Sequence, residues 1–180
     1  MSGSSLSAVA PLLARLLEEP DEAWCATLDA ARVQLERETP EAAELVCRWI
    51  ADTAADSPDL LRERHVYTFD LAPTCVPYLS VHLFGEESFK RAGLMGGLAD
   101  AYRQAGFEPA GELPDHLATV LRFLPQMTGE EQDDLVQFVL RPAVDRMTQA
   151  LANSQNPYRH LLDAVHCVLV RSSRTEAVDA

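Results

Sequence analysis

Four cysteines stand far apart in this chain, at Cys25, Cys47, Cys75 and Cys167, and no CxxC pair occurs. That spacing argues against a disulfide framework or a zinc knuckle, and the thiols read as small buried apolar residues in a reducing compartment. Long apolar runs are also missing: nothing approaches the roughly 20 consecutive residues that span a bilayer. The N-terminal stretch MSGSSLSAVAPLLARLLEEP lacks the basic region of a secretory signal. A cytoplasmic protein without membrane insertion is expected. Basic side chains are scarce too, with 15 Lys and Arg against 28 Asp and Glu, a formal net charge of -13. Such a chain repels phosphate backbones, which excludes nucleic acid as a partner, and it speeds encounter with basic peptides.

The motifs of several catalytic classes are absent as well. A carboxylate-bridged di-iron bundle uses Glu-x-x-His on two helices, but the chain has only one comparable pair, Asp163 to His166 in Asp-x-x-His spacing, and no HExxH. The glycines of GLMGGLADAY, Gly93, Gly96 and Gly97, precede no GKS or GKT, so they read as residues that let helices pack closely. No GxSxG elbow is present. Neither a metal nor a cofactor held by this chain is expected.

What remains is helical grammar. Thr39-Pro40, Ser57-Pro58 and Asn156-Pro157 each pair a capping side chain with a proline suited to a first helical turn, and Thr128 and Glu131 are spaced as a capping box. Ala42, Val46, Trp49, Ile50 and Thr53 form one helical stripe, and Leu113, Leu117, Val120, Leu121 and Leu124 another. Further helices are expected over 8–18, 22–36, 74–84, 88–104 and 135–152, the last kinked at Pro142, with Gly106 as a left-handed cap. The fold class is all-α, a single-domain bundle of about eight or nine helices over residues 6–170. Residues 1–5 and 171–180 are expected to be disordered, and the glycine- and proline-rich 106–114 to be a hinge.

Two patches carry candidate chemistry. In ELPDHL, Leu113 precedes a proline and is pushed out of the helical region, so Pro114 takes the first helical position and Asp115 the second, on free N–H groups. That explains Asp115 well and His116 poorly. In HVYTFDLAPTCVPYLSVHLFGEE, Tyr67, Phe69, Tyr78 and Phe84 alternate with His65, Asp70 and His82, a mixture suited either to a core with polar tips or to a groove for a basic amphipathic peptide. A small helical enzyme using Asp115 and His116 as an acid-base pair is the alternative from another class, without a visible nucleophile.

Six stretches in order, LLEEPDEAW, YTFDL, YLSVHLFGE, LADAYRQAGFE, ELPDHL and PYRHLLDA, resemble the NarJ branch of the TorD-like redox-enzyme maturation chaperones. These are the molybdenum cofactor assembly chaperones, or delta subunits, of nitrate reductases. The resemblance implies an all-helical cytoplasmic chaperone, not an enzyme. It would bind the N-terminal peptide and the apo form of a molybdenum oxidoreductase catalytic subunit, with cofactor-delivery proteins as further partners, until the cofactor is inserted. It places a peptide-binding site on Tyr67, Phe69, Asp70, Tyr78 and His82, and on Leu113, Pro114, Asp115, His116 and Leu117. Pro73, Pro77, Phe89 and the order Lys90-Arg91-Ala92-Gly93 depart from the family pattern, which leaves the client open between a respiratory nitrate reductase and a related molybdenum enzyme.

Overall fold

A computed structural model describes residues 3–176 except 72, 110 and 128, with side chains over 6–172. Ten α-helices follow one another among the described residues: α1 (Gly3–Leu16), α2 (Trp24–Glu38), α3 (Pro40–Thr53), α4 (Pro58–Phe69), α5 (Leu79–Phe84), α6 (Phe89–Ala105), α7 (Leu117–Phe123), α8 (Gly129–Leu135), α9 (Arg141–Leu151) and α10 (Tyr158–Glu176). A 3-10 turn, Leu124–Gln126, extends α7, and a π-helical segment, Val136–Leu140, joins α8 to α9 without a break. No strand occurs among the described residues. The chain is the all-α bundle its sequence implies.

The apolar stripes explain the packing. Ala42, Val46, Trp49 and Thr53 are buried on α3, and α10 buries Tyr158, Leu161, Leu162, Val165 and Leu169. These two helices pack together, α10 also lies against α1 and α9, and α1 is covered by α2 and α7. An aromatic chain runs through the centre. Trp24 and Trp49 have ring centroids 4.7 Å apart, and the Tyr158 ring meets Trp49 at 6.1 Å and Phe69 at 5.2 Å. α5 lies on α9 and the π segment, with α6 beyond it.

Helix starts follow the capping residues. Ser57 Oγ accepts from the Leu60 N–H, and Asn156 Oδ1 accepts from the Tyr158 N–H. Thr39 occupies the N-cap of α3 without a side-chain bond, and Thr128 of the expected capping box lies outside the described residues. Gly106 caps α6 in the left-handed region at φ 67°.

The structure departs from sequence expectation at several points. The helix expected from residue 74 begins only at Leu79, because Pro73 and Pro77 interrupt hydrogen bonding and Pro77 turns its carbonyl to another segment. Pro142 does not break its helix. The Arg141 N–H closes a five-residue step to the Val136 carbonyl, and this wider register precedes the proline that removes a donor from the next turn. The termini are helical over 3–5 and 171–176, since each added residue of a formed helix gains a backbone bond; residues 1, 2 and 177–180 lie outside the described residues. Of the cysteines only Cys75 is buried, where desolvation pushes its thiol up to about 12, whereas Cys25 and Cys47 fall on outward positions. Gly93, Gly96 and Gly97 admit no close neighbour: a Cβ at any of them would meet nothing within 4 Å.

Candidate functional site

Two segments remote in sequence meet through their backbones. The Leu79 N–H donates to the Asp115 carbonyl at 2.9 Å, and the Leu117 N–H donates to the Pro77 carbonyl at 2.9 Å. This pair of bonds forms an isolated antiparallel bridge between Tyr78 and His116, whose rings meet edge to face at 5.7 Å. Proline supplies only a carbonyl here, which is all the bridge requires of residue 77.

Asp115 is fully buried. Its role differs from the sequence expectation: Pro114 and Asp115 lie in a turn closed by the His116 N–H on the Leu113 carbonyl, and α7 starts at Leu117 with His116 as its N-cap. The Asp115 carboxylate instead reaches the first turn of α5. Its Oδ2 accepts from the Ser80 N–H at 3.0 Å and from the Ser80 hydroxyl at 2.5 Å. Ser80 Oγ in turn accepts from Arg91 Nε at 2.9 Å, and Arg91 Nη1 donates to the Glu86 carbonyl at 2.8 Å. One carboxylate thus caps a helix from another segment and connects it, through a serine, to α6. Tyr102 completes the frame, its hydroxyl donating to the Pro114 carbonyl at 2.6 Å. Burial raises the Tyr102 pKa, with the Asp115 charge adding to the effect and Arg122 opposing it.

The surface above this frame is acidic and aromatic. Burial raises the Tyr78 pKa, as do the negative charges of Glu112, Asp70 and Asp115. Burial lowers that of His116 and outweighs the upward pull of Glu112, while Arg122 also lowers it. His116 is therefore a neutral ring at pH 7, able to donate or accept one hydrogen bond.

The ten residues expected at the site divide by depth. Tyr67, Asp70 and Leu113 are exposed; Tyr78, His82, Pro114 and His116 are half-buried; Phe69, Asp115 and Leu117 are buried. Phe69 belongs to the aromatic core beside Tyr158, and so supports the surface from beneath. His82 Nε2 lies 2.7 Å from the Val76 carbonyl, and the carbonyls of His82 and Leu83 at the end of α5 accept from Arg146. Ser80, Arg91, Tyr102 and Glu112 were not anticipated. Only Glu112 had a signal, its place beside the Pro-Asp-His run; the others join the site through contacts that no local spacing encodes.

Comparison with known proteins resolves what such a frame belongs to. The family model described as nitrate reductase delta subunit matches residues 21–163. The chain belongs to this family. The delta-subunit match contains every residue of the bridge and of the Asp115–Ser80–Arg91 network. Among individual relatives, the chain is 29% identical over 169 residues to the probable nitrate reductase molybdenum cofactor assembly chaperone NarJ of Bacillus subtilis, covering 93% of this chain and 91% of that protein. It is 30% identical over 125 residues to the nitrate reductase-like protein NarX of Mycobacterium tuberculosis, where it spans 69% of this chain but only 19% of the relative. A solved chain from Archaeoglobus fulgidus, described as a redox enzyme maturation protein, shares the fold with a TM-score of 0.63 at 20% identity, covering 91% of this chain and 93% of that one. No helix among the described residues is long and apolar enough to cross a membrane.

Proposed function

We propose that this chain is an assembly chaperone for a nitrate reductase or a closely related molybdenum enzyme, acting in the cytoplasm before membrane attachment or export. It binds the N-terminal segment of the apo catalytic subunit and keeps that subunit open to insertion of its molybdenum cofactor. Membership of the delta-subunit family supports the role, and the Tyr78–His116 bridge is the single observation that carries the location. There an aromatic ring, a neutral imidazole and the acids Asp70 and Glu112 share one surface. Apolar contact with Tyr67, Tyr78 and Leu113 would hold a client helix, and the acids would select one with basic residues. Exposed ion pairs add only about 0–1 kcal/mol each, so charge governs encounter more than retention.

The acid-base enzyme alternative draws no support from this geometry. The Asp115 carboxylate faces Ser80 and α5, fully buried, and is engaged in capping. The decisive experiment titrates the N-terminal peptide of the cognate catalytic subunit into the wild-type chain and into the Tyr78→Ala and His116→Ala variants. Weaker binding by about tenfold with unchanged helical content supports the site; equal affinity in both variants removes it.

A further inference from the structure

α3 and α4 are consecutive helices of similar length, 14 and 12 residues, held by different means. α3 buries Ala42, Ala43, Val46 and Trp49. On α4 the buried apolar side chain is Phe69, in the last turn, with Leu61 partly packed against the core. The other buried side chains of α4, His65 and Thr68, are polar. Among the described residues, α4 is the one helix longer than α7 and α8 that has no closely packed helical neighbour. Its outer side exposes Leu60 and Tyr67, and an open groove of about 370 Å³ lies between these and Gln155 and Asn156 in the connection before α10.

A few polar ties fasten α4 to the bundle. His65 Nε2 lies 3.1 Å from the Leu17 carbonyl, Thr68 Oγ1 accepts from Asn156 Nδ2 at 2.7 Å, and the Thr68 carbonyl accepts from the Cys75 N–H at 3.0 Å. Arg64 donates to both carboxylate oxygens of Asp56, which ties the helix only to its own leading connection. Beneath α4, the rings of His65 and Phe69 rest on Tyr158 of α10 at 5.9 and 5.2 Å. Two polar atoms of this contact, His65 Nδ1 and the Tyr158 hydroxyl, are buried without a hydrogen-bond partner in the protein. Water reaches both once the helix lifts, so the unpaired atoms weaken the docked arrangement relative to an opened one. A helix with one buried apolar anchor and few ties belongs to the low-stability end of a fold.

We propose that α4 is a hinged cover, which pivots at Ser57 and Pro58, lifts from Tyr158 as one unit, and in its lifted position admits the client. Lifting turns Phe69 outward beside Tyr67 and uncovers Tyr158, whose ring meets Trp49 at 6.1 Å. One movement thus converts a surface of scattered aromatic edges into a continuous apolar one. The role in client binding rests on the proposed function; the opening itself does not. When a ligand enters only a minor conformation, its apparent affinity scales with the population of that conformation. Substitutions beneath α4 then change client affinity without touching the docked surface.

Native-state hydrogen exchange on the full chain tests the opening with no client present. The amides from Arg62 to Phe69 should exchange together, about tenfold or more faster than the buried amides of α3 and α10. Thr68→Val, which removes the bond to Asn156, should speed this exchange by about tenfold, and Tyr158→Phe, which removes an unpaired hydroxyl, should slow it by about fivefold. Protection equal to that of α10, protection graded inward from the helix ends, or α4 exchange unmoved by Tyr158→Phe would each overturn the opening. The N-terminal peptide of the cognate catalytic subunit, titrated by calorimetry into the same chains, tests the use of that opening. Thr68 and Tyr158 are fully buried, yet Thr68→Val should bind more tightly and Tyr158→Phe more weakly, by the factors seen in exchange. Affinity lost in Tyr78→Ala but unchanged in both of these variants would overturn the coupling of α4 to the client and leave the proposed site standing. A peptide that the wild-type chain does not bind would count against the proposed function, and the exchange result alone would then decide whether α4 opens.

Discussion

α10 and α6 have nearly the same length, 19 and 17 residues, and opposite relations to the core. α10 buries a continuous face from Tyr158 to Leu169, whereas α6 buries only Leu98 and Tyr102, both in its C-terminal half. The first half of α6 contains Gly93, Gly96 and Gly97, each costing about 0.5–1 kcal/mol relative to alanine. Its described side-chain tie to α5 runs through Arg91, which also reaches the Glu86 carbonyl in the connection before α6. Helix length therefore says little about how firmly an element is held. In this chain apolar burial secures one helix, and a serine and a carboxylate help secure the other.

The comparison can be broken most forcefully from the α10 side. Leu162→Ala, at a fully buried position, should lower unfolding stability by about 2–5 kcal/mol in a denaturant titration. Asp115→Ala should cost less, about 1–3 kcal/mol, by leaving the buried Ser80 groups without their acceptor. Its signature is regional: amide exchange should quicken in α5 and the first half of α6 more than in α10. Gly96→Ala narrows the contrast. The site is open and the glycine does not have positive φ, so thermal unfolding should show a gain of about 0.4–1 kcal/mol.

The smallest effect depends on pH. Burial holds the folded-state pKa of His116 below the unfolded value of 6.5. Between the two values the unfolded chain binds more protons, so this contribution is fully present above 6.5 and is lost as pH falls through that window. A pH series of unfolding midpoints should show that His116→Gln flattens the slope just below 6.5. Hydrogen exchange in the wild type should show α5 and α6 loosening there before α10.

Local periodicity made α3 legible, because Ala42, Val46, Trp49 and Thr53 needed no knowledge of their partners. The same reasoning placed Leu113 on a buried stripe, yet it is exposed, since the turn at Pro114 and Asp115 removes it from the helix whose period it shares. Asp115 was recognised as a helix-capping acid but assigned to the adjacent helix. Its actual partner, Ser80, lies 35 residues away, and no spacing rule reports a pairing that exists only after the bundle has closed. Family resemblance brought Tyr78 and His116 into one site; it could not show that Phe69, in the same motif, faces inward.

The six-residue α5 carries a further consequence. A helix so short does not persist alone in water, because the cost of nucleation exceeds what its few internal bonds return. Its first turn is fastened by Asp115 and its last carbonyls by Arg146. It therefore behaves as a fuse between two neighbourhoods. Release of either fastening leaves a segment with little reason to stay coiled, and a disturbance beside His116 would reach Phe84 as a melting event.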